Sequence, residues 1–245
     1  MRGTPHKWLD LSRLCRRLFP ADQVRRIRFF TALVGALPND PGAPRRQSVY
    51  LRVLRTIPNL EIHLGLFRSH SVRMPLADVP ATGPRTVQVI KTEERGSDVN
   101  LASLLLMDAF DRDCDVAVVV SNDADLCLPI ELARMRLGLK VGIVNPHPAR
   151  LRSQALRGDF FKQLRVSAVA QCQFPAEMND GVGAFRKPAE WQLPQRRDPP
   201  KRVSHPAAEA SGVVGSIIGP NHLRRKCLVA LEAATGSMRS LARFS

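Results

Sequence analysis

Five β-forming apolar residues, Val116 to Val120, run straight into Ser121, Asn122, Asp123 and Asp125, and Asp98 opens an earlier apolar helical stretch. Acids two apart at the end of a strand either cap the next helix or hold something positively charged. Carboxylates left together repel and raise one another's pKa values. A divalent hard cation removes that cost and can activate a bound water. Mg²⁺ or Mn²⁺ is the occupant this oxygen-only chemistry predicts. No serine lies in a nucleophile-elbow context, which argues against a serine hydrolase.

The surrounding elements must bring these acids together. "WLDLSRLCRRLF" places Leu11, Leu14, Cys15 and Leu18 on one helical face, with Asp10 inside the helical segment, and "RIRFFTALV" follows as a buried strand. "RRQSVYLRVLRTI" predicts a second helix with Val49, Val53 and Leu54 inward, and "LEIHLGLF" a second strand. Residues 69 to 85 are Pro-rich and read as a loop, followed by the short strand "TVQVI". Residues 97 to 110 form a helix with Ser97 or Asp98 as N-cap; "DVAVVV", a helix with Pro129 in its first turn, and the strand "KVGIVN" complete the alternation. Strands alternating with helices predict a doubly wound parallel sheet, whose ligands collect outside the carboxyl ends of its strands. Asp98, Asp123 and Asp125 all fall at that edge.

Composition bounds the partners. The chain has 245 residues, 44% of them hydrophobic, enough for a real core. Its net charge of +15 is divided as +9 over residues 1–60, −1 over 61–185 and +7 over 186–245. Basic flanks around an acidic centre suit a polyanion such as RNA, although Arg-rich composition by itself produces the same balance. Five cysteines without a CxxC pair or zinc spacing read as reduced thiols. No apolar run reaches membrane-spanning length and no signal-peptide core is present, so the expectation is a cytoplasmic protein without a membrane partner.

The stretch "KTEERGSDVNLASLLLMDAFDRDCDVAVVVSNDADL", residues 91 to 126, resembles the core of NYN domains, the PIN-like ribonuclease group that includes the LabA and DUF88 proteins. Lys91, Glu93, Gly96 and Asp98 match its Lys-to-Asp helix-start motif. Ser121, Asp123 and Asp125 match its "S-x-D-x-D" strand end. Less specifically, the resemblance extends from about residue 7 to about 191. It implies a Rossmann-like three-layer sandwich with a mostly parallel central sheet. It also implies a metal-dependent ribonuclease in which Asp98, Asp123 and Asp125 are catalytic and bind Mg²⁺ or Mn²⁺. Lys91, Ser121 and Asn122 would touch substrate, with Glu93 as an additional acid. The alternative is a non-catalytic RNA-binding or regulatory module of the same fold.

The sequence departs from the family at its start. NYN domains open with a strand of the form "I-D-G-x-N", whereas this chain enters at the first helix with "MRGTPHKWLDLSRL". Either the start lies further upstream or a central strand and its Asp are missing, which predicts an open position in the sheet. The expected division is an NYN domain over 1–185 and a basic Pro/Arg-rich linker and tail over 186–245. A short helix after Asn221 would serve RNA, a homo-oligomer or a protein partner.

Overall fold

The computed structural model describes residues 6–36, 40–78, 80–192 and 226–232. Helix α1 (Leu11–Leu18) begins at Asp10, whose carboxylate accepts from the Arg13 amide at 2.9 Å. Asp10 is therefore an N-cap and not, as its position suggested, a residue within the helix. Strand β1 (Gln23–Ala32), helix α2 (Ala43–Leu54) and strand β2 (Leu60–Pro75) follow. Of the Pro-rich stretch 69–85 read as a loop, residues 69–75 are strand, and the connection begins only after Pro75. Residues 66–75 of β2 pair antiparallel with β3 (Thr86–Arg95), leaving only the tip as a connection.

Helix α3 (Ser97–Phe110), strand β4 (Val116–Val120), helix α4 (Cys127–Met135) and strand β5 (Lys140–Asn145) lie where periodicity places them. Strand β6 (Phe160–Gln163), helix α5 (Val166–Gln171) and a small hairpin of β7 (Glu177–Asn179) and β8 (Ala184–Arg186) lead to β9 (Lys226–Glu232).

Among the described residues the main sheet has seven strands in the order β3-β2-β1-β9-β4-β5-β6, parallel throughout except for the β2–β3 pair. The position expected to be open is filled. Strand β9 lies between β1 and β4 and pairs in parallel with both. A segment read as part of a basic tail is thus a central strand, and the helix expected after Asn221 is replaced over 226–232 by extended chain. Cys227 to Leu231 are all buried, which explains the choice. A one-sided helix would bury about half of them, whereas a central strand covered on both faces buries every one. The rest of that tail, 193–225 and 233–245, lies outside the described residues.

The linker reading also fails at its start. Trp191 packs on Trp8 with ring centroids 6.3 Å apart and on Tyr50 at 6.1 Å, so residues up to 192 belong to the domain. Alternation along the strands divides the core. Val116, Val118, Val120, Val229 and Leu231 face α1, α2 and α5, while Ala117, Val119, Leu228 and Ala230 face α3 and α4. This is a sandwich of α/β type with a mostly parallel sheet. Among the described residues, which include all five cysteines, there is no disulfide, and no helix is long and apolar enough to cross a membrane.

Candidate functional site at the carboxyl edge of the sheet

Strand β4 is buried along its whole length and stops at Val120, where the chain turns over the end of the sheet. Ser121 is buried and its Oγ accepts from the Asp123 amide at 3.1 Å. One oxygen of Asp123 then accepts from the Asp125 amide at 3.0 Å, capping a single 3₁₀ turn, Ala124–Leu126, that runs into α4. Capping therefore accounts for one oxygen of Asp123, and Leu126, fully buried, fixes the turn against the core.

Asp98 reaches the same edge on α3. The N-cap of that helix is Gly96 at φ 96°, a left-handed conformation suited to glycine, and not Ser97 or Asp98 as the sequence suggested. Ser97 is instead buried and donates its hydroxyl to the Glu94 carboxylate. Gly65 of β2 lies so near this turn that a Cβ there would meet the Arg95 carbonyl at 2.8 Å. The close approach fixes the start of α3. Asp98 occupies the first turn, where the positive end of the helix dipole favours a carboxylate.

One carboxylate oxygen from each of Asp98, Asp123 and Asp125 lies within 4.8 Å of the others. Three carboxylates at this spacing can share a proton, accept several donors from one ligand, or surround a cation. Asn122 connects the acidic turn to a neighbouring segment. Its Nδ2 donates to the Leu151 carbonyl at 2.8 Å and its Oδ1 accepts from the Ser153 amide at 2.7 Å.

Lys91 and Glu93 stand apart from this cluster, on the β2–β3 arm. They pair with each other at 2.5 Å, and Arg95 approaches Glu93 at 3.4 Å. Lys91 first and Arg95 second hold the Glu93 carboxyl below its usual range. Glu93 is not part of the acid trio, and Lys91 is already engaged by Glu93. What sequence reasoning missed is the segment joined to Asn122. Its only signal was a run of arginines, Arg150, Arg152 and Arg157, in a stretch without strand or helix periodicity.

No family model matches the chain. It is 28% identical over 220 residues to 6-hydroxy-3-succinoylpyridine 3-monooxygenase HspA of Pseudomonas putida, an alignment covering 78% of this chain and 70% of that protein. Among solved structures, a protein of unknown function from Vibrio parahaemolyticus aligns with a TM-score of 0.42 and 19% identity, over 64% of this chain and 80% of that one. The named relative corrects the expected chemistry. It is a monooxygenase, so a relative sharing most of the chain points to an oxidoreductase and away from a ribonuclease or hydrolase. It gives no support to the non-catalytic RNA-binding alternative either. The expectation of Mg²⁺ or Mn²⁺ falls with the hydrolytic reading, because inserting an atom of O₂ requires electrons that a water-activating cation does not supply.

Proposed function

We propose that this chain is a monooxygenase acting on a hydroxylated aromatic ring, with Asp98, Asp123 and Asp125 forming the polar part of its substrate site. The observation that carries the reading is the 28% identity over 220 residues to a protein named for the 3-monooxygenation of 6-hydroxy-3-succinoylpyridine. The NYN-like spacing of the acids is compatible with it. We take that resemblance as a reading of architecture, since one fold hosts many chemistries and function depends on the site grafted onto it.

On that pyridine C3 carries the acyl chain and no hydrogen, so oxygenation there forms a ring C–OH and breaks the ring–acyl C–C bond. One oxygen atom of O₂ enters the ring and the other leaves as water, while four electrons and four protons are consumed and the acyl chain departs as an aldehyde. Electron-rich rings react most readily. Carboxylates that accept hydrogen bonds from a ring hydroxyl or ring N–H push electron density into the ring, and this is the role assigned to Asp123 and Asp125, with Asp98 fixing their arrangement. A flavin is one redox group that supplies the electrons in such chemistry. The described edge does not fit the diphosphate of a flavin dinucleotide. Three carboxylates converge where phosphates would be held, and the chain leaving β1 reads "LVGALPNDPG" instead of a Gly-x-Gly-x-x-Gly turn opening a helix. No step is therefore routed through a flavin.

The test is direct. Purified protein is incubated with 6-hydroxy-3-succinoylpyridine, NADH, added flavin and ¹⁸O₂, and products are read by mass spectrometry. One labelled oxygen in the ring is expected. Full recovery of unlabelled substrate under all cofactor combinations would sink the reading.

A further inference from the structure

On the side of the sheet covered by α4, that helix, β5, β6 and the segment 152–158 line an open cleft of about 540 Å³, which runs from the amino end of β5 toward the segment tied to Asn122. Arg134, Arg152, Gln154, Arg157, Phe160 and Phe161 line it. Its charged groups differ in how they are occupied. Arg134 is held by Asp159 through two contacts, at 2.7 and 3.0 Å, and donates to the Arg157 carbonyl at 3.3 Å, so it forms a fixed wall. Asp159 in turn accepts from the Val141 amide at 2.7 Å, which locks that wall to the sheet. Arg152 and Arg157 make no ion pair among the described residues. The Arg152 guanidinium carbon lies over the Phe161 ring, 3.7 Å from its centroid.

We propose that this cleft binds the carboxylate of an aromatic acid, with Arg152 and Arg157 as its anchors, an inference that rests on the monooxygenase reading for its choice of ligand. Stacking on Phe161 orients Arg152 without using its N–H donors, leaving a planar fork that matches a carboxylate in two parallel hydrogen bonds. Phe161, on the same side of the sheet as Ile143 and Leu156, adds apolar surface to the wall. The cleft also has a physical connection to the acid trio. Arg152 lies between Leu151 and Ser153, the two residues whose backbone groups Asn122 holds, and Asn122 adjoins Asp123. An anion drawn to Arg152 therefore acts on the same turn that positions the acids. A hydroxypyridine bearing a carboxylate chain has both halves such a site recognises, an anion for the arginines and ring donors for the carboxylates.

Titration calorimetry with 6-hydroxy-3-succinoylpyridine as probe tests the site independently of turnover. The full-length protein should bind the probe, and Arg152→Ala and Arg157→Ala should each weaken binding by about tenfold or more. Arg152→Lys should fall between, and the methyl ester of the probe should bind the unsubstituted protein about as poorly as the acid binds Arg152→Ala. Arg136→Ala, outside the cleft, should leave affinity unchanged. Probe binding that is absent, or that is indifferent to both alanine substitutions, overturns the site. Arginine-dependent binding without labelled product supports the cleft and removes the monooxygenase reading. Labelled product with a KM that neither alanine substitution changes supports the activity and removes the cleft.

Discussion

The two ends of helix α3 carry acids in opposite circumstances. At the amino end Asp98 meets two more carboxylates, Asp123 and Asp125, in a half-exposed cluster where the helix dipole favours negative charge. Near the carboxyl end, where the dipole disfavours it, Asp108 is 3% exposed and ion-paired with Arg28, itself 6% exposed. Arg28 also bonds Glu61 at 3.1 Å and the Leu104 carbonyl at 3.2 Å, while Arg26 reaches Asp113 at 2.8 Å and Glu61 at 3.2 Å. Burial pushes the Asp108 carboxyl up against the pull of Arg28. Glu61 is pushed the same way by burial, yet Arg28, Arg26 and His63 together bring it below its usual range. Both directions come from one arrangement, an arginine surrounded by acids. Charge compensated inside the fold holds α3 in place, whereas the charge gathered at the edge is the part the proposed site would use.

Both ends rest on β9, and removing it should have the largest effect. Leu101, Leu105 and Ala109 of α3 pack in one cluster with Leu228 and Ala230. Leu228, Val229 and Leu231 each represent about 1.5–3 kcal/mol of burial, against a total stability of about 5–15 kcal/mol for a typical domain. A chain ending at residue 225 should lose cooperative thermal unfolding, as read by calorimetry. A sharp transition near that of the full chain would show that β9 is dispensable.

The next effect belongs to the compensated end. Arg28→Ala leaves Asp108 buried beside an empty space, and urea denaturation should register a loss of about 3–5 kcal/mol. Arg28→Met combined with Asp108→Leu should recover most of it, because the buried pair is costly to break but not to replace. If the single substitution cost no more than about 0.5 kcal/mol, the contrast between the two ends would collapse.

At the edge the pattern should reverse. Asp123→Asn keeps the size and capping ability of the side chain and removes one of three like charges. Stability should stay within about 0.5 kcal/mol or rise slightly, while formation of labelled product in the oxygen-incorporation assay should be lost. Asp98→Asn should behave alike. A variant that unfolded early and kept its activity would assign the trio to structure.

The smallest effect is on pH dependence. Arg52 on Asp180, Arg134 on Asp159, and the arginines around Glu61 hold these carboxyls below their usual range. Their stabilisation is complete above the unfolded pKa values near 4 and is lost as pH falls through the lower folded values. Asp108, raised by burial, has the opposite sign and favours folding below its unfolded value. Unfolding free energy should therefore fall between about pH 5 and pH 2, with a shallower slope than the lowered carboxyls alone would give. Asp108→Asn should steepen it.

Local signals made much of this legible. Alternation of short apolar runs with one-sided helical stretches is a property of each segment, so α2, α3, β4, β5 and the α/β class could be read without the rest of the chain. The acid trio was legible for the same reason. A strand that ends in "SNDAD" and a helix that opens with Asp98 both deliver their acids to one edge once the sheet is parallel. The ribonuclease chemistry attached to that trio was not fixed by its geometry, because three clustered carboxylates serve more than one reaction.

What the tertiary structure decided was pairing over long distances in sequence. "KCLVALE" is seven residues among arginines and carries no periodicity that distinguishes a buried strand from part of a helix. It became central only because β1 and β4 leave a gap that its backbone groups fill. The Arg28–Asp108 pair and the stitching of Asn122 to the arginine cleft arise in the same way, from residues 80 and about 30 positions apart whose meeting depends on how layers and strands register. A sequence displays the preference of each segment for helix or strand, but the partner that satisfies its hydrogen bonds and charges is chosen by the whole fold.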